Sequence, residues 1–248
     1  MKLRDKVAIV TGSSRGIGKA IAIGYAREGA EVVVMARTEE PGQSRLPGTI
    51  HQTAEEIRAL GGECLPIRCD LTKDEEIEAM VNTVVERYGR IDVLVNNAAI
   101  ILHSSVADTS FKLWDLLIKI NVRAPVNLCK LAMPHMMKQG SGSIINITSE
   151  AARDPAGLTL YGAGDAALER FTQGLALELK EHNISVNALD PGRVKTEGAL
   201  YTYPSDTDWT GWKEPSEVAP ATVFLASLVD TNFTGRIIVA DDFGKTWP

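Results

Sequence analysis

Short, wholly apolar runs alternate along this chain with longer stretches whose apolar residues return every three or four positions. Val7-Ala8-Ile9-Val10 has no polar break, and neither has Val32-Val33-Val34. Runs of that kind suit parallel strands buried on both faces. Strands are predicted at 7–10, 31–35, 63–68, 91–95, 143–147, 185–189 and 236–240. Helices are predicted at 19–27, 49–60, 73–88, 111–138 and 161–182, and another opens at Pro215-Ser216-Glu217. In 73–88 the residues Ile77, Met80, Val81, Val84 and Val85 share one side. Asn121 sits inside the long 111–138 segment, where asparagine disfavours helix, so a local distortion or a buried hydrogen bond is expected there. Residues 41–48, the stretch with Pro155 and Gly157, and an irregular excursion over 195–214 read as loops. No linker, repeat or shift in composition divides the chain. The pattern predicts one α/β domain over 1–248, a doubly wound parallel sheet of about seven strands with helices on both faces. Its ligand is expected at the carboxyl ends of the strands.

Composition narrows the function. The 248 residues are 44% hydrophobic and 23% charged, with a net charge of −6, which argues against nucleic acid or an anionic membrane as partner. No apolar run approaches the roughly 18 residues of a membrane span, and the apolar run after Met1–Lys6 is too short for a signal-peptide core. Cys64, Cys69 and Cys129 lack metal-ligand spacing, so reduced thiols and a cytoplasmic location are expected. The histidines at 51, 103, 135 and 182 are scattered, and no metal site is expected. Sequons at Asn146, Asn183 and Asn232 read as coincidental.

The candidate chemistry begins at residues 11–18, Thr-Gly-Ser-Ser-Arg-Gly-Ile-Gly. A strand turning tightly into a helix leaves free N–H groups and a positive dipole end aimed above the turn. Gly12, Gly16 and Gly18 would allow close approach of a pyrophosphate. A triphosphate P-loop would need Ser or Thr where Ala20 stands. Dinucleotide folds that prefer NAD often carry an acid at the end of the second strand. Here that place is Ala36, followed by Arg37, and Arg15 lies in the glycine turn, so the pattern favours the 2′-phosphate of NADP over NAD. Asp70 ends the third strand, Asn96-Asn97-Ala98-Ala99 follows the fourth, Thr148-Ser149 ends the fifth and Asp190-Pro191-Gly192 the sixth.

Taken together and in this order, these motifs, with Asn121 and Tyr161, resemble the short-chain dehydrogenase/reductase family over essentially the whole chain. The resemblance implies a Rossmann-type domain, an NAD(P) cofactor, and hydride transfer between an alcohol and a carbonyl. By matching positions it implies that Gly12, Ser14, Arg15, Gly16, Ile17 and Gly18 hold the phosphates, with Arg37 beside the adenosine. Asp70 and Leu71 would lie near the adenine ring and Asn97 and Ala98 near its ribose, while Pro191, Gly192, Val194 and Thr196 close over the nicotinamide. Ser149 would polarise the substrate oxygen, Tyr161 would exchange its proton, and Asn121 would support a proton relay. Thr148 is the alternative hydroxyl to Ser149, which is preferred on the alignment of the strand.

One position departs from the family. Its Tyr-x-x-x-Lys reads Tyr161-Gly162-Ala163-Gly164-Asp165. Residues four apart share a helix face, so a carboxylate stands where the ammonium belongs. A negative neighbour raises a tyrosine pKa, and losing an acid–base partner costs roughly 10²–10⁴-fold. Arg153 and Lys195 lie in loops from which a substitute cation could come. Three functions fit: an NADP(H)-dependent oxidoreductase with activity altered by Asp165, a cofactor-binding protein without dehydrogenase activity, and a non-redox acid–base enzyme on the same fold. The first is preferred because Ser149, Tyr161 and Asn121 persist. Tyr201, Tyr203, Trp209 and Trp212 in the 195–214 excursion either line an apolar or ring-binding pocket or pin the loop to the body. Leu113, Leu116, Leu117, Leu128, Leu168, Phe171 and Leu175 give the two long helices an apolar stripe, from which a homo-oligomer is expected. The resemblance implies a tetramer made through those helices.

Overall fold

The computed structural model describes residues 1–155, 158–228 and 231–248; Gly157, named above in a loop, lies outside them. Seven parallel strands run β1 (Val7–Thr11), β2 (Glu31–Ala36), β3 (Cys64–Arg68), β4 (Val93–Asn96), β5 (Gly142–Ile147), β6 (Ile184–Asp190) and β7 (Ile237–Val239). Their order in the sheet is β3-β2-β1-β4-β5-β6-β7. The chain winds outward one way from β1 and then the other way from β4, which opens a crevice at the carboxyl ends of those two strands.

Alternation along each strand divides the core. Ala8 and Val10 of β1 pack with α1 (Gly16–Arg27), α2 (Ile50–Ala59) and α8 (Ala219–Ala226). Val7 and Ile9 face the other way, against α3 (Asp74–Tyr88), α5 (Ala124–Gln139) and α6 (Thr159–Leu179). All five residues of β1 and all seven of β6 are buried, as central strands covered on both faces must be. Local signals set the helix ends: Thr49 and Gln52 form a reciprocal capping box on α2, and Gly89 closes α3 with φ +71°. No helix among the described residues is long and apolar enough to cross a membrane.

The segment expected as one long helix is α4 (Phe111–Ile118), a π-helical turn over Lys119–Arg123, and α5. Asn121 lies in that turn and is buried. Its Oδ1 accepts from Ile100 N and its Nδ2 donates to Ile100 O, both at 3.0 Å, so the distortion and the buried hydrogen bond are both present. The 195–214 excursion is less irregular than expected. It contains α7 (Glu197–Thr202), capped by Thr196, whose Oγ1 accepts from Ala199 N at 3.1 Å. The capping Thr-Glu pair was the available signal. A second correction concerns the apolar stripe. Leu117, Leu128, Leu168 and Leu175 are buried in the chain's own core, Phe171 packs partly against it, and only Leu113 and Leu116 of that set stay exposed. Leu117 is consumed beneath the cleft, packed with Leu102 and Tyr161. Asn146 is fully buried in β5, bonded to Asn96 and Thr172, so its sequon offers no accessible amide.

Candidate active site

A cleft of about 850 Å³ lies along the carboxyl ends of the strands. Its floor is the turn from β1 into α1. Gly12 and Gly16 take φ +68° and +56°, which L side chains avoid, and a Cβ on Gly12 would meet Ala98 Cα at 2.9 Å. The helix start has no side-chain cap and no acid in its first turn, which leaves its N–H groups and dipole available to the cleft, although Glu197 stands close by, its Oε2 3.6 Å from where a Cβ on Gly16 would lie. Asn97 and Ala98 fasten β4 to this turn. Asn97 Nδ2 donates to Thr11 O at 2.8 Å, and the Asn97 and Ala98 amides donate to Thr11 Oγ1 at 2.9 and 3.0 Å.

At the far end Arg15 crosses to the β2–α2 loop. Its Nη1 donates to Ser44 Oγ at 2.9 Å, and its Nη2 donates to Thr38 Oγ1 and Gly48 O at 3.0 Å. Its Nε is buried without a hydrogen-bond partner among the described residues. Burial lowers the Arg15 pKa, the Glu197 carboxylate opposes this, and Arg37 adds to it. Arg37 lines the same end, where Ala36 presents no carboxylate. An orphaned donor, two cations and open helix amides fit an anionic dinucleotide. Every cofactor-contacting residue named from the sequence, from Gly12 to Thr196, lines this cleft.

At the near end Ser149 and Tyr161 also line the cleft, while Asn121 and Asp165 stand behind its wall. Tyr161, in the first turn of α6, is 8% exposed and Asp165, one turn on, is 3% exposed. Ser149 Oγ donates to Asp165 Oδ2 at 2.6 Å, and both side chains act on the phenol of Tyr161. Thr148 points elsewhere, donating to Glu169 Oε1 at 3.3 Å, so of the two candidate hydroxyls Ser149 is the one beside Tyr161. Burial, and then the charge of Asp165, push the Tyr161 phenol well above its ordinary range. Burial pushes the Asp165 carboxyl up to about 7; the bonds from Ser149 and Tyr161 oppose this, and Glu169 and Asp190 add to it.

Neither cation named from the sequence as a partner for Tyr161 is bonded to Tyr161 or Asp165. Lys195 lies over the Trp209 ring, 6.0 Å from its centroid. Arg153 instead bridges Glu169, at 2.8 Å, and Asp190, whose Oδ1 accepts from Gly192 N at 2.8 Å. Glu169 was not identified from the sequence, although its place four residues beyond Asp165 on one helix face was the signal. Ser44 was missed because nothing in a loop of Pro, Gly and Ser marks which residue turns inward.

The substrate end has an aromatic wall. Tyr203 and Trp212 line the cleft with His103. The Tyr203 and Trp212 ring centroids are 5.1 Å apart, and Trp209 lies 4.8 Å from Trp212. Tyr203 and Trp212 thus line the cleft and, with Trp209, brace the excursion, while Tyr201 is exposed outside the cluster.

A parallel sheet that reverses its winding above a glycine turn, with a buried hydroxyl pair at the other end of the cleft, defines a nicotinamide-dinucleotide oxidoreductase domain. Comparison with known proteins agrees. The short chain dehydrogenase family model matches residues 6–204. The chain is 34% identical over 250 residues to 3-oxoacyl-acyl-carrier-protein reductase FabG of Thermotoga maritima, covering 97% of this chain and 98% of that one. It is 39% identical over 252 residues to the short-chain reductase protein NovJ of Streptomyces niveus, covering 96% and 93%. A crystal structure of a metagenomic short-chain oxidoreductase in complex with NADP superposes with a TM-score of 0.81 at 32% identity, covering 96% and 98%. The chain belongs to the short-chain dehydrogenase/reductase family and is an NAD(P)-dependent oxidoreductase.

Proposed function

We propose that this protein is an NADPH-dependent carbonyl reductase in which Asp165 takes the place of the family's lysine as the partner of Tyr161. The observation that carries this is the Ser149–Asp165 hydrogen bond next to the buried Tyr161 at the end of the cleft, where both side chains act on the phenol. A bound NADPH would supply the hydride that reduces the carbonyl carbon. Ser149 and Tyr161 present hydroxyls to the oxygen, where negative charge develops. Tyr161 passes its proton to that oxygen, and a protonated Asp165 restores the proton to Tyr161. Asn121, bonded to Ile100 on both its amide atoms, holds the wall behind them. The aromatic wall of Tyr203 and Trp212 supports an apolar or ring-containing substrate.

This reading has a signed consequence for pH. Below about 7 Asp165 is neutral and can donate. Above it, the carboxylate has no proton to give and opposes charge on Tyr161. Turnover of cyclic and aromatic ketones with NADPH is therefore expected to fall as pH rises through about 7, and Asp165→Asn to flatten the profile. A wild-type profile level from about pH 5 to 9 would remove Asp165 from the mechanism. Cofactor binding with no NADPH oxidation at any pH would overturn the carbonyl-reductase reading.

The chain is further proposed to assemble as a homodimer or homotetramer. Phe111, Leu113 and Leu116 on α4, Val126 on α5 and Leu177 on α6 are exposed, Phe111 at 83% and Leu177 at 78%, more large apolar surface than these helices would leave to water. Light scattering at micromolar protein is expected to return a multiple of 26.8 kDa; a monomer mass refutes assembly.

A further inference from the structure

We propose that Ser44, on the loop between β2 and α2, is a specificity-determining donor to the 2′-phosphate of the cofactor. The inference rests on the NADP reading and adds to it a residue outside the glycine turn and the strand ends. Ser44 Oγ accepts two hydrogen bonds, from Arg15 Nη1 at 2.9 Å and from Leu46 N at 3.1 Å. A serine hydroxyl has two lone pairs and one proton. With both lone pairs engaged, what it has left to offer is the proton, and among the described residues no acceptor takes it. Thr38 Oγ1 likewise accepts from Arg15.

Ser44, Thr38, Arg15 and Arg37 line one end of the cleft, together with Leu46. The end therefore holds two hydroxyl protons, the unpartnered Arg15 Nε and the Arg37 cation, with no carboxylate at Ala36. That donor set matches a dianionic phosphate monoester, whereas the Ser44 and Thr38 hydroxyl oxygens, already engaged by Arg15, are poor acceptors for a ribose 2′-hydroxyl. The loop is also held in register for this purpose. Gly48 has φ +97° and its carbonyl anchors Arg15 Nη2. A side chain there would collide with the Ser14 backbone, so the loop lies directly on the phosphate-binding turn.

The test is titration calorimetry of the purified protein with adenosine 2′,5′-bisphosphate and adenosine 5′-monophosphate, compared between wild type and Ser44→Ala. Wild type is expected to prefer the bisphosphate. Ser44→Ala is expected to weaken the bisphosphate by about ten- to a hundredfold, as loss of one hydrogen bond to a charged group does, and the monophosphate by less than about twofold. Ser44→Thr, which keeps the hydroxyl, should retain most of the preference. A wild-type protein indifferent between the two nucleotides overturns the NADP reading itself. A wild-type preference that survives Ser44→Ala overturns the role of Ser44 alone. Equal losses for both nucleotides would also overturn it, since they would mean that Ser44 shapes the adenosine site and does not read the phosphate.

Discussion

At pH 9, replacing Asp165 with lysine is expected to raise NADPH-dependent carbonyl reduction by roughly 10²-fold, within the range that a positioned acid–base partner supplies. At that pH the native carboxyl, with its pKa near 7, is ionised. It then sits within bonding distance of Ser149, as a charge that resists proton loss from the Tyr161 phenol. Lysine removes that charge and adds the opposite one, and both changes lower the Tyr161 pKa. At about pH 6 the gain should nearly vanish, because protonated Asp165 already does the work. The site accommodates the new cation: Glu169 and Asp190 raise the Asp165 pKa through their own charges, so both would attract an ammonium. The measurement is NADPH consumption against pH for wild type and Asp165→Lys on a common ketone panel. Tyr161→Phe in the lysine variant should abolish the gain. An equal effect of Asp165→Lys at both pH values would mean that the charge on Asp165 does not govern Tyr161.

The second large effect is on stability. Arg153→Met is expected to lower unfolding free energy by about 3 kcal/mol near pH 8, because it strands Glu169 and Asp190 without their cation. Their side chains are 7% and 3% exposed, whereas Arg153 itself is 38% exposed, and water screening places the cost at the lower end of the range for buried pairs. The pH dependence has a definite sign. Burial raises the folded pKa of Glu169, and Arg153 lowers it, so removing Arg153 raises it further above the unfolded value. A raised carboxyl carries no penalty where it is protonated, below its unfolded pKa, and carries the full penalty once pH exceeds the folded one. Denaturant melts should therefore show a small loss at about pH 4 and a growing loss toward pH 8. A loss that is the same at both ends would point to lost packing of the arginine stem.

Most of the scaffold was legible in the chain because the strands are short and predominantly apolar and several turns at strand ends carry their own chemical signature. Asn121 shows how far such reading reaches: a poor helix former in a helical segment signalled a distortion or a buried hydrogen bond, and the π turn and the bonds to Ile100 supply both. The short helix α7 was hidden by the aromatic residues after it, since a six-residue helix has too few turns to show a period. The Arg153 bridge was illegible for a different reason. Its partners lie 16 and 37 residues away, and charge pairing at that separation leaves no pattern in a linear sequence. The burial of Leu117 and Leu168 was equally unreadable, because an apolar face does not say whether its own chain or another will cover it.

The fastening of Asn97 and Ala98 to Thr11 has a consequence for how this chain can change over evolutionary time. It joins β4 to the glycine turn of β1 where the sheet reverses its winding, so the seat proposed for the nucleotide draws mainly on the first hundred positions, with the 190–196 segment added from later in the chain. The aromatic wall at the substrate end is drawn almost wholly from residues 203–212, braced by contacts among its own rings. The two ends share little covalent neighbourhood. Mutations that recast the shape or polarity of the wall can accumulate without disturbing the seat, and a descendant of this chain can acquire a new substrate while keeping its cofactor.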